Sequence, residues 1–426
     1  MFKNFIQKKL EKYVVKYFKK HPEVKLVVVA GSVGKTSTKQ AIATVLAQKY
    51  RVGLHQGNHN THMSAPLAIL GIQYPDDVRS IGAWLSVFRA ARKRIKWPSG
   101  VDVIVAELGT DQPGDIAHFG TYLKPDIGVI TAVTEEHMVA FSTLETVAQE
   151  ELEVANFSKL AIINRDDIDE RFAEFLKNPN IDTYGTTGAA EYRFEIDDFT
   201  VENGYKGEVI TPEFDQPFGA TIKVLGEHSL RPPMGAVAVA VKLGLSPQEI
   251  AAGLATIRPV AGRMNILHGI DNFMVIDDTY NASPLAVESA LQALYSLQVP
   301  QRVAVLGSMN ELGAGSASEH EKIGNLCDPS LLAWVITVGD EAEKYLAPAA
   351  KLRGCQVKSF KNAVDAGAFA RSVLEDGAAI LVKGSQDGVF TEEVVKLLVV
   401  TDDYSQLVRQ SPQWMKIKEK FFSKFQ

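Results

Sequence analysis

Seven consecutive residues, Gly31-Ser32-Val33-Gly34-Lys35-Thr36-Ser37, follow the apolar run KLVVVA and lead into the helical pattern TKQAIATVL. Backbone N–H groups at a helix N-terminus point at phosphate oxygens, and the helix dipole favours their charge. Glycine lets the backbone come close to such a ligand. In this setting Lys35 reaches the β- and γ-phosphates and the Thr36 hydroxyl binds Mg²⁺. Val29 stands where the longer form of the motif has its first glycine, so the match is to the short form, with Gly31 in that role. The strand–loop–helix context predicts a nucleoside triphosphate site. Mg²⁺ takes hard oxygen donors and keeps several waters. Glu107, at the end of VDVIVAELG, and His137, after DIGVITAV, are the side chains expected beside the loop. They complete a catalytic set of Lys35, Glu107 and His137.

The elements that must position these groups read as an α/β protein. KLVVVAG, VDVIVAELG, DIGVITAV and KLAIINRDD are short apolar runs ending at polar tips, the pattern of buried parallel strands with helices between them. Ligands in such sheets bind beyond the carboxyl ends of the strands. Residues 191–225 alternate apolar and polar around Asn203-Gly204 and Lys206-Gly207, which predicts an antiparallel meander turning at both. Ser246-Pro247 reads as the N-cap and first residue of a helix. After a hinge at Pro259–Gly262 a second strand–loop–helix rhythm begins, predicting a Rossmann-like α/β domain. The expected division is a helix over 1–22, a P-loop domain with a mostly parallel sheet over 23–261, and a second α/β domain over 262–426.

A chain of 426 residues with 46% apolar and 23% charged residues has room for two or three domains. Its net charge of −6 argues against bulk nucleic-acid binding. Cys327 and Cys355 form no CxxC pair, which excludes a four-cysteine zinc site and predicts a reducing, cytoplasmic setting. Residues 2–20 depart from this average. Phe2, Ile6, Leu10, Tyr13, Val14, Tyr17 and Phe18 recur at helical spacing, and seven lysines face one glutamate, Glu11. Such a helix either packs its stripe on the following domain or makes peripheral contact with an anionic membrane. The C-terminal WMKIKEKFFSKF has the same character.

Several blocks then fall in a familiar order: GSVGKTST, GNHNTHMSAPLAIL, AELGTDQPGDIAHFGTYLKPDIGVITAVTEEHM, RPVAGRM, VIDDTYNASP, VAVLGSMNELG and LVKGS. Together they resemble the Mur ligase family from about residue 25 to residue 400. DDTYNASP and LGSMNELG resemble the branch that adds D-alanyl-D-alanine to a muramoyl-peptide precursor in peptidoglycan synthesis. The resemblance implies a ligase that uses ATP and Mg²⁺ to turn a carboxylate into an acyl phosphate, which an amine then attacks. It also implies that Arg263, Asp278, Tyr280 and Asn281 approach the nucleotide. Two alternatives stay open: a ligase adding an amino acid to another acyl acceptor, and a membrane-docked nucleotide-binding scaffold.

The sequence departs from the family pattern in four places. About a hundred residues are expected before the P-loop, holding the UDP moiety; here the basic helix stands in front of it. With the P-loop so early in this sequence, the acceptor is expected to be read by the central domain, or to be lipid-linked or not nucleotide-activated. Ser229 and Pro232 replace two asparagines after His228, and Gln386 replaces an arginine after Lys383. Finally, Glu151 falls where the family carries a carbamylated lysine that ligates a second Mg²⁺. A glutamate brings a carboxylate without CO₂ but is shorter by three bonds, roughly 3.5–4 Å of reach. The expected metal set is thus Thr36, Glu107, His137 and Glu151. The alternative for Glu151 is a helix whose Glu150, Glu151 and Glu153 all face water.

Overall fold

The computed structural model describes residues 2–55, 60–75, 77–98, 100–401 and 404–425. Gly57, Asn58 and His59, which open the GNHNTHMSAPLAIL block, lie outside them. The chain forms two compact units. The first comprises residues 1–134, 140–223 and 230–258, and the second comprises 135–139, 224–229 and 259–426.

Six parallel strands make the sheet of the first unit: β1 (Lys25–Ala30), β2 (Val52–Leu54), β3 (Val103–Glu107), β4 (Ile127–Ile130), β5 (Leu160–Asn164) and β6 (Ile181–Tyr184). Their order is β2-β3-β1-β4-β5-β6. The chain leaves β1 toward one edge and later crosses to β4 on its other side. The switch point of the topology, where α/β sheets bind ligands, is therefore the carboxyl end of β1. β1 is buried from Leu26 to Ala30, as its unbroken Val/Leu run requires of a strand covered on both faces.

Three further strands, β7 (Arg193–Thr200), β8 (Gly204–Ile210) and β9 (Phe218–Ile222), form an antiparallel meander. The chain does turn at Asn203-Gly204, where Gly204 has φ +74°. It does not turn at Lys206-Gly207, which lies inside β8. There a side chain on Gly207 would run into the Glu195 carbonyl oxygen of β7, beside a register shift between Ile196 and Asp198. The glycine serves close approach of two strands, not a reversal. The Pro247–Thr256 helix opens with a capping box between Ser246 and Glu249.

The first helix, Phe2–Lys20, belongs to the first unit. Ile6, Leu10, Tyr13, Val14 and Tyr17 are buried in one cluster with Trp84, Val87, Phe88 and Ala91 of the Ile81–Lys96 helix. Each large apolar side chain so buried contributes about 1.5–3 kcal/mol. Packing thus accounts for most of the stripe, while Phe2 falls off it and is 44% exposed. Among the described residues no helix is long and apolar enough to cross a membrane.

The sheet of the second unit runs β10-β11-β15-β12-β13-β14. Its strands are β10 (Asn265–His268), β11 (Met274–Asp278), β12 (Arg302–Gly307), β13 (Trp334–Val338), β14 (Val357–Phe360) and β15 (Ala379–Lys383). All pairs are parallel except β10–β11, a short antiparallel edge that the sequence pattern did not reveal.

Candidate active site

The loop after β1 is held by backbone geometry that only glycine tolerates. Gly31 has φ +123° and Gly34 has φ +87°. A Cβ on Gly31 would stand 2.8 Å from the Ala132 nitrogen and 2.9 Å from that of Thr131. The strand extension after β4 cradles the loop. Ser32 N–H donates to Ala132 O at 2.9 Å, Thr131 Oγ1 donates to Val33 O at 2.5 Å, and Thr134 N–H donates to Ser32 Oγ at 3.1 Å. Gly34 then caps the Lys35–Leu46 helix in the left-handed conformation. Lys35 Nζ folds back over the loop, donating to Gly31 O and to Ser32 O.

Register brings Glu107 to this loop, because Val29 of β1 pairs with Glu107 of β3. The Thr36 hydroxyl donates to Glu107 Oε2 at 3.1 Å, and Asn60 Nδ2 donates to Oε1 at 3.2 Å. Lys39 Nζ lies 3.4 Å from Oε2, with both side chains almost fully buried. Among the described residues no three His, Cys, Asp or Glu side chains cluster as a metal site. The assembled pair is a hydroxyl and a carboxylate, both hard oxygen donors. That fits Mg²⁺, which is bound by one or two protein groups plus phosphates and water.

Glu150 and Glu151 lie on the Leu144–Phe157 helix, and both are buried, at 7% and 2% exposure. The water-facing alternative for them is overturned, since their side chains turn inward to cap backbone N–H groups. Glu150 accepts from Gly114 N–H at 2.7 Å, Ile116 N–H at 2.6 Å and Thr110 Oγ1 at 3.2 Å. Glu151 Oε2 accepts from Gly31 N–H at 2.7 Å. One carboxylate holds the start of the Asp115–Gly120 helix; its neighbour touches the phosphate loop itself.

His137 falls in the second unit. Its Nδ1 is 3.0 Å from Glu311 Oε2, and Met138 N–H donates to Glu311 O. The hydrogen bond from His137 holds the Glu311 carboxyl below the usual carboxylate range. The structure therefore gathers Thr36, Glu107 and Glu151 around the loop of one unit and leaves His137 with the other.

At the carboxyl edge of the second sheet, Lys383 Nζ donates to Asp278 Oδ2 at 2.6 Å and to Asn281 O at 2.9 Å. The Arg263 guanidinium lies over the Tyr280 ring at 4.2 Å, and its Nε is a buried donor that finds no hydrogen-bond partner among the described residues. Asp277, fully buried, accepts from Thr279 N–H and Oγ1 and from Gly262 N–H. Burial pushes its carboxyl up to about 6.

Several groups escaped the sequence reading. Asn164 Nδ2 donates to Thr131 O at 2.7 Å, tying the end of β5 to the cradle. Arg231 bridges Asp166 and Asp167 at 3.3 and 3.1 Å. Arg409 pairs with Glu392 and donates to Thr279 O and Tyr280 O, bracing the loop after β11. The acidic tip NRDD was the visible signal for the first two; nothing near Arg409 in sequence pointed to it.

Comparison with known proteins agrees with this geometry. Residues 29–240 match the Mur ligase middle domain, and residues 262–386 match the Mur ligase, glutamate ligase domain. The chain belongs to the Mur ligase family. It is 28% identical over 378 residues to the UDP-N-acetylmuramoyl-tripeptide–D-alanyl-D-alanine ligase of Bacillus subtilis, covering 87% of this chain and 75% of that one. A solved MurF ligase from Thermotoga maritima in complex with ADP superposes with TM-score 0.73 at 25% identity, covering 92% of this chain and 83% of that one. A MurF structure from Acinetobacter baumannii shares the fold at TM-score 0.74 and 22% identity, covering 91% and 79%.

Proposed function

We propose that this chain is an ATP-dependent carboxylate–amine ligase that joins D-alanyl-D-alanine to a muramoyl-peptide precursor in the cytoplasm. The observation that carries the reading is the strained P-loop with Thr36 and Glu107 hydrogen-bonded at its edge. Family membership and the names of the relatives supply the substrate class. A carboxylate is a poor electrophile. Transfer of the γ-phosphoryl of ATP to it supplies a leaving group, the donor amine attacks the acyl carbon, and amide, ADP and phosphate result. Loop N–H groups and Lys35 hold the phosphates and offset charge as it moves toward the leaving oxygen. Thr36 and Glu107 would hold Mg²⁺, which would supply charge neutralisation when bound. Glu151 brings a fixed carboxylate to the loop, at the position where the resemblance to the family implies a carbamylated lysine. In the second unit, Arg263, Asp278, Tyr280 and Asn281 are the groups that would contact a nucleotide, and His137 is the imidazole that would ligate a metal.

The test is ADP release with ATP, Mg²⁺, UDP-N-acetylmuramoyl-tripeptide and D-alanyl-D-alanine, each acceptor and donor omitted in turn. The expected outcome is release that needs both, with a new amide in the product. Release indifferent to the amine would overturn the ligase reading. Turnover of a different acceptor alone would overturn the substrate.

A further inference from the structure

The first helix and the Ile81–Lys96 helix lie side by side. Tyr13 and Lys9 meet the Phe88 ring, Lys20 Nζ donates to Lys96 O at 3.3 Å, and the His21 ring contacts Ile95 O at 3.0 Å. Both send their apolar stripes into the same cluster, so their remaining residues form the outer surface of one helix pair.

That surface is strongly basic. The first helix carries Lys3, Lys8, Lys9, Lys12, Lys16, Lys19 and Lys20, and the second carries Arg89, Arg92, Lys93, Arg94 and Lys96. Twelve cations face one acid, a charge of +11 on the pair. With −6 on the whole chain, the remainder carries −17. The single acid, Glu11, is turned inward onto His118 Nε2 at 2.7 Å and Gln7 Nε2 at 2.9 Å. Large apolar side chains stand exposed among the cations: Phe5 at 58%, Ile81 at 65%, Leu85 at 47% and Trp97 at 59%. Beside them an open cleft of about 760 Å³ is lined by Tyr74, Lys93, Arg94 and Trp97.

We infer that this helix pair docks the protein on an anionic lipid surface. Charge complementarity selects the occupant. A basic helical face with exposed Trp, Phe and Leu inserts shallowly into the headgroup boundary while its lysines and arginines meet lipid phosphates. A soluble polyanion would use the cations but leave the aromatic and aliphatic groups in water. The acidic remainder of the chain would be repelled by the same surface, which orients the molecule with this face inward. None of these residues belongs to the phosphate-loop site, so the inference is independent of the proposed reaction.

The experiment is flotation of the full chain with vesicles of equimolar phosphatidylglycerol and phosphatidylcholine, and with phosphatidylcholine alone, at about 0.1 M salt, where charge is screened beyond about 10 Å. Binding to the anionic vesicles only, lost at about 0.5 M salt, is expected. Arg89→Glu, Arg92→Glu, Lys93→Glu and Lys96→Glu combined should weaken it at least about tenfold. Phe5→Ser, Leu85→Ser and Trp97→Ser combined should weaken it also, with salt sensitivity retained. Should the charge reversals lower the melting temperature, Lys8→Gln, Lys12→Gln, Lys16→Gln and Lys19→Gln on the first helix give the same comparison. Equal binding to neutral vesicles, no binding to either, unaltered binding by the charge variants, or retention on heparin without vesicle binding would overturn the inference.

Discussion

The carboxyl edges of the two sheets hold charge in opposite ways. At the first, Lys35 donates to loop carbonyls, Thr36 and Lys39 share one carboxylate, and Glu151 caps a loop N–H. Backbone and side-chain donors converge on a strained glycine turn that can take a polyphosphate. At the second, cations are closed into internal pairs: Arg409 with Glu392 at 2.7 Å, and Lys418 with Glu392 and Glu393 at 2.7 Å each. Arg409 and Lys418 are 5% and 2% exposed, and Glu392 is fully buried. A donor set left around a loop serves binding and rate. A buried closed network serves shape, because removing one member strands the others in low dielectric.

That difference predicts where a substitution is felt. Lys35→Ala should lower kcat by about a thousandfold or more, the cost of losing a cation aimed at a transferring phosphoryl. Its melting temperature should stay within a few degrees of wild type, measured by calorimetry alongside ADP release. Glu392→Gln should act on stability first. Urea unfolding should show a loss of about 3–5 kcal/mol, since buried Arg409 loses its charge partner and Lys418 loses one of two. Nucleotide affinity should fall with it, because Arg409 also braces Thr279 and Tyr280.

A smaller effect concerns pH and Asp277, whose carboxyl burial raises to about 6. The folded state then holds a proton more tightly than the unfolded chain. Its stabilising contribution is full below the unfolded value and is lost as pH rises through the folded one. Between about pH 4.5 and pH 7.5 this removes about 2 kcal/mol from the wild type and not from Asp277→Asn. Unfolding of both proteins across that range should show the variant gaining on the wild type as pH rises; a constant gap would remove Asp277 from the account.

The smallest predicted change separates two neighbouring glutamates. Glu151→Gln keeps an oxygen that accepts from Gly31 N–H but loses the charge, and should lower kcat about tenfold while raising the Mg²⁺ requirement. Glu150→Gln, at the cap of the Asp115–Gly120 helix, should move stability and not the Mg²⁺ titration. The wild type should turn over equally in degassed and bicarbonate-supplemented buffer, since a glutamate needs no CO₂. Slowing on CO₂ removal would separate Glu151 from the metal.

Most of the fold was legible because buried parallel strands announce themselves as Val/Ile runs with polar tips, and the P-loop because glycines at fixed offsets have few other uses. Register did the rest: Glu107 was placed at the loop by its strand end alone. What escaped depends on contacts between residues far apart in the chain. Glu151 reads as one of three acids on a helix, and only packing shows that it and Glu150 are buried while Glu153 is half-buried and accepts from Asn156 Nδ2. Gly207 reads as a turn because glycine after a polar residue usually is one; here it lets two strands approach. The basic helix reads as either packed or membrane-bound, and the fold shows that the same helix packs one face while presenting the other.

In the proposed reaction a phosphoryl group passes through the acceptor's own carboxylate at the P-loop edge. An acceptor whose terminal carboxylate carries heavy oxygen, incubated with ATP and D-alanyl-D-alanine, tests this in one measurement by mass spectrometry of the phosphate released. The account predicts one heavy oxygen carried from the carboxylate into the phosphate, in step with amide formation. Phosphate released without label, while ADP still accumulates, would contradict it and leave the P-loop as an ATPase uncoupled from ligation.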